Sequence, residues 1–248
     1  MNHRASVAAP ASAVLCLAVA CWAVACLAAP ASAEIAPVTP GTVIEWRDPE
    51  VTRAGRPYDW RTHRIVATEG TTVRYVHEGQ GGGGETDVVT REAYRGLVPL
   101  AMQVESVRGT VRSRTHERLL MDAAALAALF PLTPGARLRL DVAMESRYEP
   151  VVPPGVFRSP LGVDEWTVER REAIMVPAGR FDAVVVLWVR RTEFDLESPE
   201  YCLRRGLRAE RLWYVPSLGW PVRVQEGRIT QDGFVPSWDW HAIAIRRP

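Results

Sequence analysis

The sequence predicts a mainly β, antiparallel domain that carries one short helix and follows an export leader. Three observations predict it. Short runs of alternating apolar and polar residues recur along the chain, turn-forming residues separate them, and a single stretch has a helix cap, helix formers and a proline stop.

The leader spans residues 1–33. A basic start at Arg4, an uncharged Ala/Val/Leu/Cys stretch from about Ala13 to Ala29 and the small-residue site Ala31-Ser32-Ala33 have the pattern of a secretory signal peptide. Retained instead of cleaved, the same stretch has nearly the length of a membrane anchor, and it is the only membrane contact the sequence predicts. A lipoprotein leader would need an aliphatic residue three positions before the acceptor cysteine. Cys21 and Cys26 have Ala18 and Ala23 there.

Residues 34–60 form a Pro-rich lead with a strand candidate at Thr42 to Trp46, and residues 61–248 read as a single β-rich domain. His63 to Glu69 and Thr71 to His77 are strands around a turn at Glu69-Gly70. The run Gly79 to Gly84 breaks regular structure, and a further strand region runs from Met102 to Leu119 with a bend at Gly109. Asp122 caps a helix over Ala123 to Phe130, which Pro131 ends. Alternation of Leu138, Leu140, Val142 and Met144 with charged partners marks a half-buried strand, and the Pro-rich stretch Glu149 to Pro160 is expected to be a surface loop. Trp166 to Val176 and Phe181 to Thr192 form a hairpin about Pro177-Ala178-Gly179. Its second strand is apolar on both faces, which predicts cover on both sides. Arg208 to Val215 and Pro221 to Thr230 pair about Pro216 to Gly219, and Trp238 to Ile245 is the last strand.

Composition excludes several chemistries. The chain has 30 basic and 29 acidic residues, and loss of Arg4 with the leader leaves 29 of each. That balance predicts no nucleic-acid partner. Every basic residue is arginine, so Schiff-base, Ser-Lys and P-loop mechanisms are excluded. Cys202 alone would survive cleavage, which rules out an intramolecular disulfide. His116-Glu117 lacks the second zinc ligand, since position 120 is Leu120, and Glu85-Thr86 follows the glycine run where a phosphate loop needs Lys-Ser/Thr. No cofactor and no metal are predicted, and no catalytic residue is assigned.

Three segments then carry a resemblance: LFPLTPG from Leu129 to Gly135, VPAGRFDA from Val176 to Ala183, and LWYVPSLGWPVR from Leu212 to Arg223. In this order they resemble the exported bacterial proteins of domain-of-unknown-function family 3108, also called TapB-like. The resemblance covers roughly Arg61 to Thr230. It implies a curved antiparallel sheet forming a half-barrel or incomplete barrel outside the cytoplasm, in the periplasm, and it transfers no activity.

Two patches are candidate sites. Trp213, Tyr214 and Trp220 flank the Pro216 to Gly219 turn, where aromatic rings serve either as cross-strand pairs or as a ligand platform. Arg204, Arg205, Arg208 and Arg211 follow the acidic run Glu193, Asp195, Glu197 and Glu200, which they pair with unless they grip an anionic ligand. Export, two-sided apolar strands and the missing catalytic signature favour a non-enzymatic binding domain for an amphipathic or glycan ligand. The alternatives are an assembly protein that binds another envelope protein by a sheet edge or the arginine patch, and a polysaccharide-acting enzyme using paired carboxylates such as Glu193 and Asp195.

Overall fold

The computed structural model describes residues 35–49, 60–80, 86–108, 111–149, 156–192, 196–197, 202–203 and 206–248. In chain order the elements are β1 (Val43–Arg47), β2 (Trp60–Glu69), β3 (Thr72–Gln80), β4 (Thr86–Tyr94), β5 (Val98–Arg108), β6 (Val111–Leu120), α1 (Ala123–Leu129), β7 (Arg137–Glu149), β8 (Val156–Val176) and β9 (Gly179–Thr192). They continue with β10 (Leu196–Glu197), β11 (Cys202–Leu203), β12 (Gly206–Val215), β13 (Trp220–Thr230) and β14 (Gly233–Arg246).

Twelve of these strands close into an antiparallel barrel in the order β1-β14-β13-β12-β9-β8-β7-β6-β5-β4-β3-β2, while β10 and β11 form a separate two-stranded ribbon. The expected half-barrel or incomplete barrel is therefore corrected to a closed one. The closing element is β1, whose five residues pair with β14 from Val43↔Arg246 to Arg47↔His241 and with β2 from Val43↔Arg64 to Arg47↔Trp60. It covers two edges whose free N–H and C=O groups would otherwise face water or another chain.

The local expectations mostly hold at their centres. Asp122 caps α1, its carboxylate accepting from the Ala124 N–H at 2.8 Å and the Ala125 N–H at 3.3 Å. Gly179 pairs with Val176 at the hairpin between β8 and β9. Three points differ. β4 was not anticipated, β3 continues through Gly79 to Gln80, and β8 begins at Val156, inside the stretch expected to be loop. Long antiparallel partners impose strand pairing on these residues where local propensity is weak.

Two buried apolar clusters hold the barrel. One gathers Ile44, Trp46, Ile65, Ile174, Ala183, Val185, Trp213, Trp220 and Ala242. The other packs Leu126, Leu129 and Leu132 from the α1 region against Trp166, Val184, Val186, Trp188 and Tyr214. Strand β9 serves both through opposite faces, so Ala183 through Val186 are all buried, as expected for a strand covered on both sides. At the β12–β13 turn Gly219 takes φ +67°, and a Cβ there would lie 2.3 Å from the Ala36 carbonyl oxygen, so only glycine lets the lead cross the turn.

The outward surface carries cross-strand ion pairs, among them Arg64–Glu78, Arg74–Glu92, Arg139–Glu165 and Arg158–Glu145. A lipid-facing barrel wall would present an apolar band there.

Candidate functional site

The barrel's lumen is identified by contacts between strands that are not neighbours in the sheet. Arg61 of β2 pairs with Glu226 of β13 at 2.7 Å, and the Tyr75 ring of β3 lies 4.8 Å from the Trp220 ring of β13. Such contacts can only cross the interior. Residues on the same face of each strand therefore also look inward.

Strand register then sets one transverse row across that inner face: Trp238 opposite Glu226, Glu226 opposite Glu210, Glu210 opposite Trp188, and Trp188 opposite Trp166. Directly opposed side chains of neighbouring strands start about 5 Å apart. The row is two carboxylates held between aromatic platforms. Trp238 stacks on Trp240 with centroids 6.0 Å apart, and Trp166 on Trp188 at 5.6 Å. The Arg61 guanidinium sits 3.6 Å from the centre of the Trp240 ring, Arg208 donates to Glu210 at 2.7 Å, and Arg190 grips buried Asp164 with two bonds of 2.7 Å.

Like charges directly opposed on a sheet are unfavourable, and the two glutamates respond differently. Burial pushes the Glu210 carboxyl up, against the pull of Arg208 and with the help of Glu226. Burial would raise Glu226 too, but Arg61 and Arg208 outweigh it and hold Glu226 below the usual carboxylate range. Glu210 is thus the first of the pair to take a proton. Arg61 and Glu226 keep 24% and 23% of their side-chain surface open to solvent.

Beside this row lies an imidazole and aromatic cage. His63 Nε2 and His77 Nδ1 are 3.0 Å apart, and the His63 ring contacts Trp46 at 5.5 Å, Tyr75 at 5.2 Å and Trp220 at 5.8 Å. Burial, then His77, Arg61 and Arg91, hold His63 well below its ordinary value; burial, then Arg91 and Arg61, lower His77 to about 3. Both rings are neutral at pH 7. A depressed histidine binds fewer protons folded than unfolded, so stability is full above about pH 7 and falls as pH drops through 6.5 toward 3. Between pH 7 and pH 5 the pair should cost on the order of 2 kcal/mol, allowing for partial solvent access. Urea unfolding at the two pH values measures it, and an equal loss in a His63→Gln, His77→Gln variant would refute the assignment.

Several buried polar atoms here have no hydrogen-bond partner: the indole nitrogens of Trp46, Trp188, Trp220 and Trp240, His63 Nδ1 and Arg91 Nε. Buried polar groups are nearly always satisfied, by ordered water where no protein group serves, so these atoms are open to water or to a ligand. Among the described residues no group of three His, Cys, Asp or Glu could hold a metal ion.

The sequence-read candidates are dispersed. Trp220 enters the cage. Trp213 is buried, donates its N–H to Glu172 and lies under the Arg223 guanidinium at 4.3 Å. Tyr214 is buried and donates to the Arg95 carbonyl at 2.7 Å. Arg208 serves Glu210, Arg211 pairs with Glu169 at 3.0 Å, and Arg204 and Arg205 lie outside the described residues, as do Glu193, Asp195 and Glu200. Glu197 is in the β10–β11 ribbon. Sequence reasoning missed Arg61, His63, Tyr75, His77, Arg91, Glu210, Glu226, Trp238 and Trp240 as a group. One signal was present: Glu210 and Glu226 fall in phase with the apolar positions Leu212 and Val224, where a solvated charge does not belong.

A concavity of about 510 Å³ lies on the outward face between Arg74, Glu92, Gln103, His116, Arg118 and Glu145. It is open, and Arg74 is already paired with Glu92 at 3.0 Å. The lumen is the stronger candidate.

No protein-family model matches the chain, so the resemblance read from its three motifs has no matching model behind it. No curated protein matches significantly. Among solved structures, the hypothetical lipoprotein YmcC from Escherichia coli is similar with a TM-score of 0.42 and 10% identity over 85% of each chain. A protein from Bacteroides fragilis, described as exported with a YmcC-like fold, gives 0.40 and 15% over 87% of this chain and 100% of its own. A protein from Parabacteroides distasonis described as a lipoprotein gives 0.39 and 13% over 85% and 97%. Likenesses of this degree assign no role.

Proposed function

We propose that this is an exported, non-enzymatic binding protein of the bacterial envelope, and that its barrel lumen holds a glycan or the sugar-bearing end of an amphipathic ligand. The observation that carries this reading is the row Trp238–Glu226–Glu210–Trp188–Trp166 with Arg61 over Trp240. Flat aromatic faces bury the apolar side of a sugar ring, while fixed carboxylates and guanidinium groups take its hydroxyls. Export rests on the leader pattern of residues 1–33, and the periplasm on the resemblance.

A Trp240→Ala variant tests it. Against an array of envelope-derived oligosaccharides, the wild-type protein should bind a limited set and the variant should bind the same set at least tenfold more weakly. A wild-type protein that binds none, or a variant that binds equally, would refute a sugar-binding lumen.

One observation favours a second reading. The opposed Glu210 and Glu226 have carboxyls shifted in opposite directions, the arrangement that glycoside cleavage requires of its acid and its partner carboxylate. Each carboxylate is however already engaged by an arginine at 2.7 Å, which suits recognition better than proton transfer.

A further inference from the structure

We infer that the lumen seats one anionic group of its ligand, a carboxylate or a phosphate, against Arg91. The inference deepens the lumen-binding reading and depends on it. Among the described residues, register places Arg61, Arg91, Arg190 and Arg208 on the inner face. Three are matched by carboxylates, Arg61 by Glu226, Arg190 by Asp164 and Arg208 by Glu210, each at 2.7 Å. Arg91 has no carboxylate within ion-pairing distance among the described residues. It lies opposite Tyr75 on the neighbouring strand, and its Nε has no hydrogen-bond partner. Its cross-strand neighbours Tyr75 and Met102 are uncharged. Glu117, one strand further along that row, has an interaction of its own.

Most of the unpartnered atoms on this part of the inner face are donors: the indole nitrogens of Trp46 and Trp220 and the Arg91 Nε can only donate, and His63 Nδ1 donates in one of its two neutral tautomers, while Glu117 Oε1, two strands from Arg91, is the acceptor among them. A cluster short of acceptors, with one unmatched positive charge, is complementary to a group rich in acceptors and negatively charged. His63 and His77 favour the same occupant: held neutral beside Arg91, they supply polar edges without a second cation. A guanidinium presents its planar fork to carboxylate and phosphate alike, so a uronic-type sugar and a phosphorylated headgroup share this chemistry.

Calorimetric titration of the folded protein with glucuronate, inorganic phosphate and glucose tests the inference. Glucuronate or phosphate should bind at least tenfold more tightly than glucose, with an affinity that falls as salt rises; whichever prevails identifies the source of the charge. Arg91→Gln should remove that preference, so that glucuronate and phosphate bind no more tightly than glucose. Both anions binding no better than glucose in the wild-type protein would overturn the inference without any variant, so a variant that fails to fold does not shield it. A neutral glycan recovered with the protein would keep the lumen reading and overturn this one.

Discussion

Gly162→Ala should unfold the barrel more readily than any other single-methyl change in the sheet, by on the order of 3 kcal/mol. Gly162 takes φ +137° in β8, opposite Val142 and beside the irregularity in the β7–β8 register. A Cβ there would lie 1.9 Å from the Arg191 carbonyl oxygen and 2.9 Å from its carbon. Both atoms are backbone of β9, so no side chain can swing aside, and the strand itself would have to move. That movement would also pull on Arg190, whose bidentate grip on Asp164 forms one end of the lumen's charge pairing. Urea unfolding of the purified variant measures the cost. A loss under about 1 kcal/mol would show that the strands do not approach this closely.

Arg61→Ala should cost about 2 to 3 kcal/mol at pH 7. Removing one member of a buried pair typically costs about 3 to 5 kcal/mol, because it leaves an uncompensated charge, and the partial exposure of both groups reduces this. Glu226 would be left opposite Glu210 with its main counter-charge gone, and Trp240 would lose the cation on its face. Two outcomes follow from that cause. Adding Glu226→Gln should recover part of the loss, since the stranded charge disappears. Lowering the pH to 5 should narrow the gap to wild type, because the freed carboxyl, no longer held down by Arg61, takes a proton in the folded variant. Equal losses in the single and double variants would mean that the arginine acts through packing alone.

What the sequence made legible was local. The Asp122 cap, the alternation through Leu138 to Met144 and the Pro177-Ala178-Gly179 turn are decided by residues a few positions apart, and each appears in the fold where it was expected. Closure was not local. Nothing in Thr42 to Trp46 says that this one short strand satisfies edges offered by Trp60–Glu69 and by Gly233–Arg246, nearly two hundred residues apart. The lumen was hidden for the same reason, since Arg61, Tyr75, Arg91, Glu210, Glu226 and Trp240 share a site only once register across the barrel is known. The sequence did mark where to look, in charges that interrupt an apolar stripe. The aromatic turn at Leu212 to Arg223 drew attention for its composition, yet of its three candidates only Trp220 contacts the cage, while Trp213 and Tyr214 are committed to Glu172 and to the Arg95 carbonyl.

The most direct measurement is native mass spectrometry of the protein expressed with its leader and purified gently from the envelope, followed by solvent extraction of whatever it carries. A lumen built to hold a ligand should give a single stoichiometric adduct containing a sugar, and that adduct should be lost in Trp240→Ala. Bare protein that also fails to take up any oligosaccharide offered to it would contradict the account and point to a barrel that serves only to present its outer surface.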